Sequence, residues 1–289
     1  MCLERELKVS FEFFPPKNQR MADVLWNSLK RLEPLNPQFV SVTYGARGST
    51  RTMTHDLVKK IIKETKIPPA AHLTCIGSKI SEIEEIASNY WSDGIRHIVA
   101  LRGDIPNDID HKKEELKYAT DLIRTLKNIN DFEITVSAYP EGHPDSRSIE
   151  QDIDFLQHKI DLGATRAITQ FFFDTNIFFE FLNKLRKKNI NIPVIPGILP
   201  VTDCKKTIEF CNSTNCSIPA WLKEMFVGLD SDPETRKLVA ATISAEQCKK
   251  LAKQGIKEFH FYTLNRADLS FAICHILGIR SLEDIKIND

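Results

Sequence analysis

The sequence predicts an eight-stranded α/β barrel folded as one domain over residues 1–289. Three observations carry that prediction. Short β-branched and aromatic runs alternate with helical apolar spacing along the whole chain. The connections are short, so each helix reads as the crossover between two parallel strands. The strand–helix unit recurs eight times, which favours a closed barrel over an open doubly wound sheet. A chain of 289 residues, 42% hydrophobic, holds enough apolar side chain for one large core of that kind.

The units run in order. Val9 to Phe14 is a strand stopped by Pro15-Pro16, and Met21, Leu25, Leu29 and Leu32 mark the first helix. Phe39 to Tyr44 precedes a helix through Leu57, Val58, Ile61 and Ile62. Ala70 to Ile76 precedes a helix through Ile80, Ile83, Ala87 and Tyr90. Ile95 to Leu101 leads through a polar loop to a helix through Leu122 and Leu126. Phe132 to Tyr139 is followed by Ile149, Ile153, Leu156 and Ile160, and Arg166 to Phe173 by Phe178, Phe181, Leu182 and Leu185. Val194 to Leu199 is the seventh strand, with a longer, mostly helical insertion to about Gln254. Glu258 to Thr263 is the eighth, and Leu269 to Leu277 is the closing helix.

The 39 basic and 39 acidic residues cancel, which argues against a nucleic-acid or anionic-membrane partner. The first residues, MCLERELK, are charged and mixed in sign, unlike a signal peptide. The longest apolar run, Val194 to Val201, is far short of a membrane span and is broken by Pro196 and Gly197. These features predict a cytoplasmic protein. Seven cysteines without a C-x-x-C pair predict free thiols, and Cys204, Cys211 and Cys216 lack zinc-site regularity, so no metal is expected. Neither G-x-G-x-x-G nor G-x-x-x-x-G-K occurs, which disfavours a Rossmann or P-loop site.

Barrel chemistry sits at the C-terminal strand ends. There, Glu12 interrupts an otherwise apolar strand. Alternation puts Ser10, Glu12 and Phe14 on one face and Phe11 and Phe13 on the other. Glu12 reads either as half of a structural ion pair or as a proton donor whose pKa is raised by apolar neighbours. Polar groups recur at Thr43-Tyr44-Gly45-Ala46, His72-Leu73-Thr74, Arg102-Gly103-Asp104, Tyr139 to Pro144 and Thr169-Gln170. A lone His or Tyr is usually a hydrogen-bonded core residue. Several at equivalent places converge on one barrel mouth, which predicts a site for a polar ligand.

The segments SFEFFPPK (10–17), FVSVTYGA (39–46), HLTCI (72–76), GIRHIVALRGD (94–104), RAITQFFFD (166–174), IPGILPV (195–201) and FHFYTLNRA (259–267) closely resemble methylenetetrahydrofolate reductases of the bacterial type. The resemblance covers nearly the whole chain and is to the catalytic barrel alone. The S-adenosylmethionine-binding regulatory domain of eukaryotic forms is expected to be absent. It implies bound FAD, NADH or NADPH as electron donor, and a ping-pong reduction of methylenetetrahydrofolate to methyltetrahydrofolate that supplies methyl groups for methionine synthesis. It also implies a homo-oligomer.

Carried over by motif, the FAD-contacting positions are Tyr44, Ala46, His72, Arg102, Gly103, Asp104, Tyr118, Tyr139, His143, Ser146, Asp152 and Lys159. Thr43 would lie near the nicotinamide. Arg102 and Lys159 suit a diphosphate; on their own they read as ordinary surface charge. Glu12 matches the general acid, and Asp104 the carboxylate that touches flavin and folate. Gln170 would bind the pterin or the nicotinamide amide, Phe210 the aminobenzoyl ring, and Arg266 the folate. Two positions depart from the family pattern: Lys206, where Gln can stand, and Phe155, where Asn can stand. Two other readings compete. A flavin-free barrel lyase needs an interior lysine or a metal set, and no strand end offers either. A binding protein without catalysis is disfavoured by Glu12 and Asp104.

Overall fold

The structure is a computed structural model that describes residues 7–45, 51–105 and 113–281. Among these, nine strand segments form one all-parallel sheet. They are β1 (Lys8–Phe13), β2 (Phe39–Val42), β3 (Pro69–Thr74), β4 (His97–Leu101), β5 (Glu133–Ala138), β6 (Arg166–Thr169), β7 (Val194–Ile195), β8 (Gly197–Ile198) and β9 (Glu258–Tyr262). The expected seventh strand is thus split. Pro196 has no N–H for the ladder, so β7 pairs with β6 while β8, across the proline, pairs with β9. The ring closes through Pro196, whose carbonyl accepts from His260 N–H at 3.0 Å. Gly197 is required there for space. An added Cβ would lie 2.2 Å from the Thr169 carbonyl oxygen and 2.7 Å from the Tyr262 ring.

Helices α1 (Gln19–Leu32), α2 (Arg51–Glu64), α3 (Ile80–Ser92), α4 (Ala119–Ile129), α5 (Ile149–Asp161) and α6 (Thr175–Lys187) follow the first six strands. The insertion is α7 (Cys204–Thr214), the short α8 (Ala220–Glu224) and α9 (Pro233–Lys253), and α10 (Ala267–Ile276) follows β9. Polar side chains start the helices where the sequence places them. Asn18, Ser148, Asp174, Asp203 and Asp232 each accept a first-turn N–H. None of the described helices is long and apolar enough to cross a membrane.

Strand alternation sorts the side chains into two compartments. Val9, Phe11 and Phe13 of β1 enter the large core between sheet and helices. A separate small cluster, Phe39, Ala70, Val99, Ile168 and Ile195, fills the barrel interior. The interior also holds buried Ser10, Ser41, His72, His97, Thr135 and His260. This is the polar face that Glu12 shares. At the seam, Asn265 accepts from Phe14 N–H and donates to Phe14 O, both at 2.8 Å. That pair ties the loop after β9 to the end of β1.

Candidate active site

The strand ends open into two adjoining cavities of about 390 and 740 Å³. Tyr44, Leu101, Ser137 and Tyr139 line both, so they are two halves of one mouth. The convergence expected from separate motifs is present. Glu12, Thr43, His72, Gln170 and Phe210 line the smaller half. Arg102, Gly103, Asp104, Tyr118, His143, Ser146, Asp152 and Lys159 line the larger. Ala46 lies outside the described residues.

In the smaller half, the Glu12 side chain is 22% exposed and its Oε2 faces two imidazoles. His72 Nε2 of β3 is 3.5 Å away and His260 Nε2 of β9 is 3.8 Å away. The expected upward shift of Glu12 is therefore corrected. Burial is the largest influence and does push the carboxyl up, but His260 and His72 together outweigh it, and the net shift is downward. Of the aromatic neighbours expected to raise it, Phe11 packs wholly in the other compartment, Phe13 belongs to that core and also borders the cavity, and Phe14 lines the cavity with Glu12. Burial pushes the His72 imidazole down, which favours its neutral form.

Gln170, just beyond β6, accepts from Phe171 N–H at 3.1 Å through its amide oxygen. What it offers a ligand is therefore the amide NH2. Phe210 reaches the cavity from α7, beside a second apolar cluster that includes Phe171, Leu199, Leu222 and Phe226. The loop after β5 is tied to this insertion: Asn215 Nδ2 donates to Glu141 O at 2.9 Å, and Ser217 N–H to the Glu141 carboxylate at 3.0 Å.

The larger half carries both signs: Arg102, Arg147 and Lys159 stand with Asp104, Asp145 and Asp152. Lys159 of α5 has its pKa pushed down to about 8 by burial, against the pull of Asp152. Burial and the Arg102 charge hold His143 below the usual imidazole range. Arg102 Nη2 meets Asp145 at 2.7 Å. Asp152 uses both carboxylate oxygens inside the protein, accepting from His143 N–H at 2.6 Å and from the Ser146 hydroxyl. It anchors the loop after β5. Gly103 sits at φ 88, and a Cβ there would lie 2.9 Å from Ile76, so the turn that delivers Asp104 needs glycine. Phe155, one of the two departures, lines this half and stacks on Tyr118 at 6.1 Å and 26°.

One expected folate residue, Arg266, and one departure from the family pattern, Lys206, are not brought to a cavity wall. Arg266 is exposed at the start of α10, although its neighbours Thr263 and Leu264 line the smaller half. Lys206 is exposed and lies 3.9 Å from Asp203. The sequence reading also overlooked His260 and Tyr262. Both interrupt the apolar pattern of β9 on the face shared with Glu12, the same signal that singled out Glu12 itself. No group of three or more His, Cys, Asp or Glu placed to hold a metal occurs among the described residues.

A parallel barrel with its polar mouth at the C-terminal strand ends defines an enzyme of the (β/α)8 class. Solved structures agree on the fold. A Clostridium thermocellum protein described as binding two copies of 5-methyl-5,6,7,8-tetrahydrofolic acid aligns over 99% of this chain and 98% of its own, with TM-score 0.62 and 16% identity. Xanthomonas albilineans dihydropteroate synthase aligns with TM-score 0.52 and 13% identity, over 99% of this chain and 95% of its own. The family model for methylenetetrahydrofolate reductase matches residues 2–278, and the chain belongs to that family. The 5,10-methylenetetrahydrofolate reductases of Pectobacterium carotovorum and Escherichia coli are each 50% identical over 278 residues. The match covers 96% of this chain and 92% and 93% of theirs. A probable NADH-type relative from Oryza sativa is 32% identical over 96% of this chain and 49% of its own length.

Proposed function

We propose that the protein is a single-domain, FAD-dependent reductase that converts 5,10-methylenetetrahydrofolate to 5-methyltetrahydrofolate with NADH or NADPH, the two substrates using one mouth in turn. The observation that carries this is the division of the mouth: a half that gathers Arg102, His143 and Lys159 beside a half built around one carboxylic acid. The donor set of the larger half fits FAD. Arg102, His143 and Lys159 suit the diphosphate, and the half-open Tyr118–Phe155 stack suits a planar ring. FAD, when bound, supplies hydride transfer from the nicotinamide to the folate.

The chain's own residues do the rest. The methylene carbon of the folate bridges two nitrogens, and the five-membered ring must open before that carbon can accept hydride. Glu12 protonates the departing nitrogen. Gln170 presents its NH2 to the pterin or to the nicotinamide amide, Phe210 packs on the aminobenzoyl ring, and Asp104, from the larger half, touches flavin and folate. Because the nicotinamide and the folate both need the face beside Gln170, they bind in turn. The test is direct. The purified protein should carry near-stoichiometric FAD, reduce a dye acceptor with NAD(P)H, and give parallel initial-rate lines with methylenetetrahydrofolate. A colourless protein that takes up no FAD, or intersecting lines, overturns the reading.

A further inference from the structure

A general acid must hold a proton near neutral pH, yet the surroundings of Glu12 favour its carboxylate. The geometry points to where the proton is kept. We propose that His260, held by Ser10, is the proton reservoir of Glu12: a positioning residue that keeps one proton on the Glu12–His260 pair and returns it to the carboxylate when folate fills the cavity. This rests on the folate reductase reading above.

Ser10 and His260 are register partners on β1 and β9, and Ser10 and Glu12 share the inward face of β1. The imidazole therefore lies along the strand pair, with Nδ1 2.7 Å from Ser10 Oγ and Nε2 facing Glu12 Oε2 at 3.8 Å. An imidazolium needs an acceptor at each nitrogen, and a hydroxyl and a carboxylate are both in place. His260 is fully buried and its Nε2 has no hydrogen-bond partner as the side chains stand, so that nitrogen is aimed at Glu12 and awaits it. The gap exceeds hydrogen-bond length, and a small rotation of the Glu12 carboxylate closes it.

The other groups facing the pair are poor places to keep the proton. His72 Nε2, 3.5 Å from the same oxygen and likewise buried without a partner, is pushed down by burial and by His260 against the pull of Glu12; what sets His260 apart is the Ser10 hydroxyl at its other nitrogen. His97 on β4, bonded to Thr135 at 2.7 Å, is pushed down to about 3 by burial. Tyr262 is pushed up by burial and by Glu12. Arg166 stands deeper, across the Phe39 ring that stacks on His260.

The proton balance closes. Folate binding excludes water and penalises the carboxylate–imidazolium form relative to the neutral pair. The Nε2–H bond breaks and an O–H bond forms on Glu12. That proton then passes to the departing folate nitrogen, which keeps the electron pair of the broken C–N bond. Hydride adds to the carbon, and solvent later returns one proton to Nε2. The sum consumes one NAD(P)H and one proton per folate reduced.

A lone carboxyl and a carboxyl–imidazole pair lose their last proton in different pH ranges, which makes the proposal testable. Holoenzyme variants His260→Gln and Ser10→Ala are assayed from pH 5.5 to 9 in each half-reaction separately. For His260→Gln we expect NAD(P)H–dye turnover within about twofold of wild type. Folate reduction should fall roughly tenfold or more at pH 7.5 and recover toward the acid end, with the basic limb moved to lower pH. Ser10→Ala should move the limb the same way by less, and it carries the test if His260→Gln fails to fold. With wild type active on folate, an unmoved limb, or a loss equal at every pH, overturns the reservoir while leaving the function intact. A wild type that reduces no folate overturns both.

Discussion

The two halves of the mouth bury charge for opposite ends. In the larger half, Lys159 and His143 are both held below their usual ranges, chiefly by burial, although Asp104, Asp145 and Asp152 line the same cavity. On the proposed reading it receives the FAD diphosphate. In the smaller half, Glu12 already has its counter-groups, His72 and His260, built into neighbouring strands. On the proposed reading it moves a proton. Burial prevails at Lys159 despite Asp152, whereas at Glu12 it is outweighed by partners the barrel supplies. Binding and acid catalysis can therefore be lost separately, and the following substitutions are chosen to separate them.

The largest effect is expected at Glu12. Glu12→Gln should retain FAD and NAD(P)H–dye turnover but lose folate reduction by about 100-fold or more, the usual loss for a general acid. Steady-state assays of both half-reactions check this, and an equal loss in both would merge the two halves. Next is Lys159→Ala. Losing a charge-assisted contact to the diphosphate should weaken FAD binding by about 10- to 100-fold, read by equilibrium dialysis, with little change in folate turnover once FAD is saturating. Gln170→Glu exchanges an offered NH2 for a carboxylate and should slow both half-reactions by about tenfold in stopped flow. Asp104→Asn removes a negative charge beside the proposed flavin position. It should raise the flavin potential and slow folate reduction by about tenfold, the equivalent of roughly 1.4 kcal/mol.

The smallest effect concerns pH. The Lys159 pKa of about 8 should rise once a diphosphate is bound, so FAD binding takes up a proton. Affinity should be full below about pH 8 and decline as pH rises above it. A flat profile in wild type from pH 7 to 10 would remove Lys159 from the diphosphate site.

The sequence made the barrel legible because the strand–helix alternation is regular. The split of Val194 to Leu199 was not legible in advance. It depends on which neighbour each side of Pro196 pairs with, and periodicity does not carry that information. Glu12 stood out because one acid in an apolar strand is unusual. The sign of its shift did not follow, since the deciding imidazoles come from β3 and β9, far away along the chain. His260 and Tyr262 went unnoticed because a single His or Tyr inside a strand reads as a satisfied core residue. Asp152 and Ser146 were expected as FAD contacts through resemblance alone, and the structure shows Asp152 organising the loop they share.

The most direct test of two substrates taking turns at one mouth is anaerobic flavin absorbance of the wild type. NADH is added first, the nicotinamide is then removed by gel filtration, and methylenetetrahydrofolate is added last. NADH is expected to bleach the flavin band and folate alone to restore it, with one methyltetrahydrofolate formed per flavin. A band that returns only when oxidised nicotinamide is present with the folate would contradict turn-taking at one mouth.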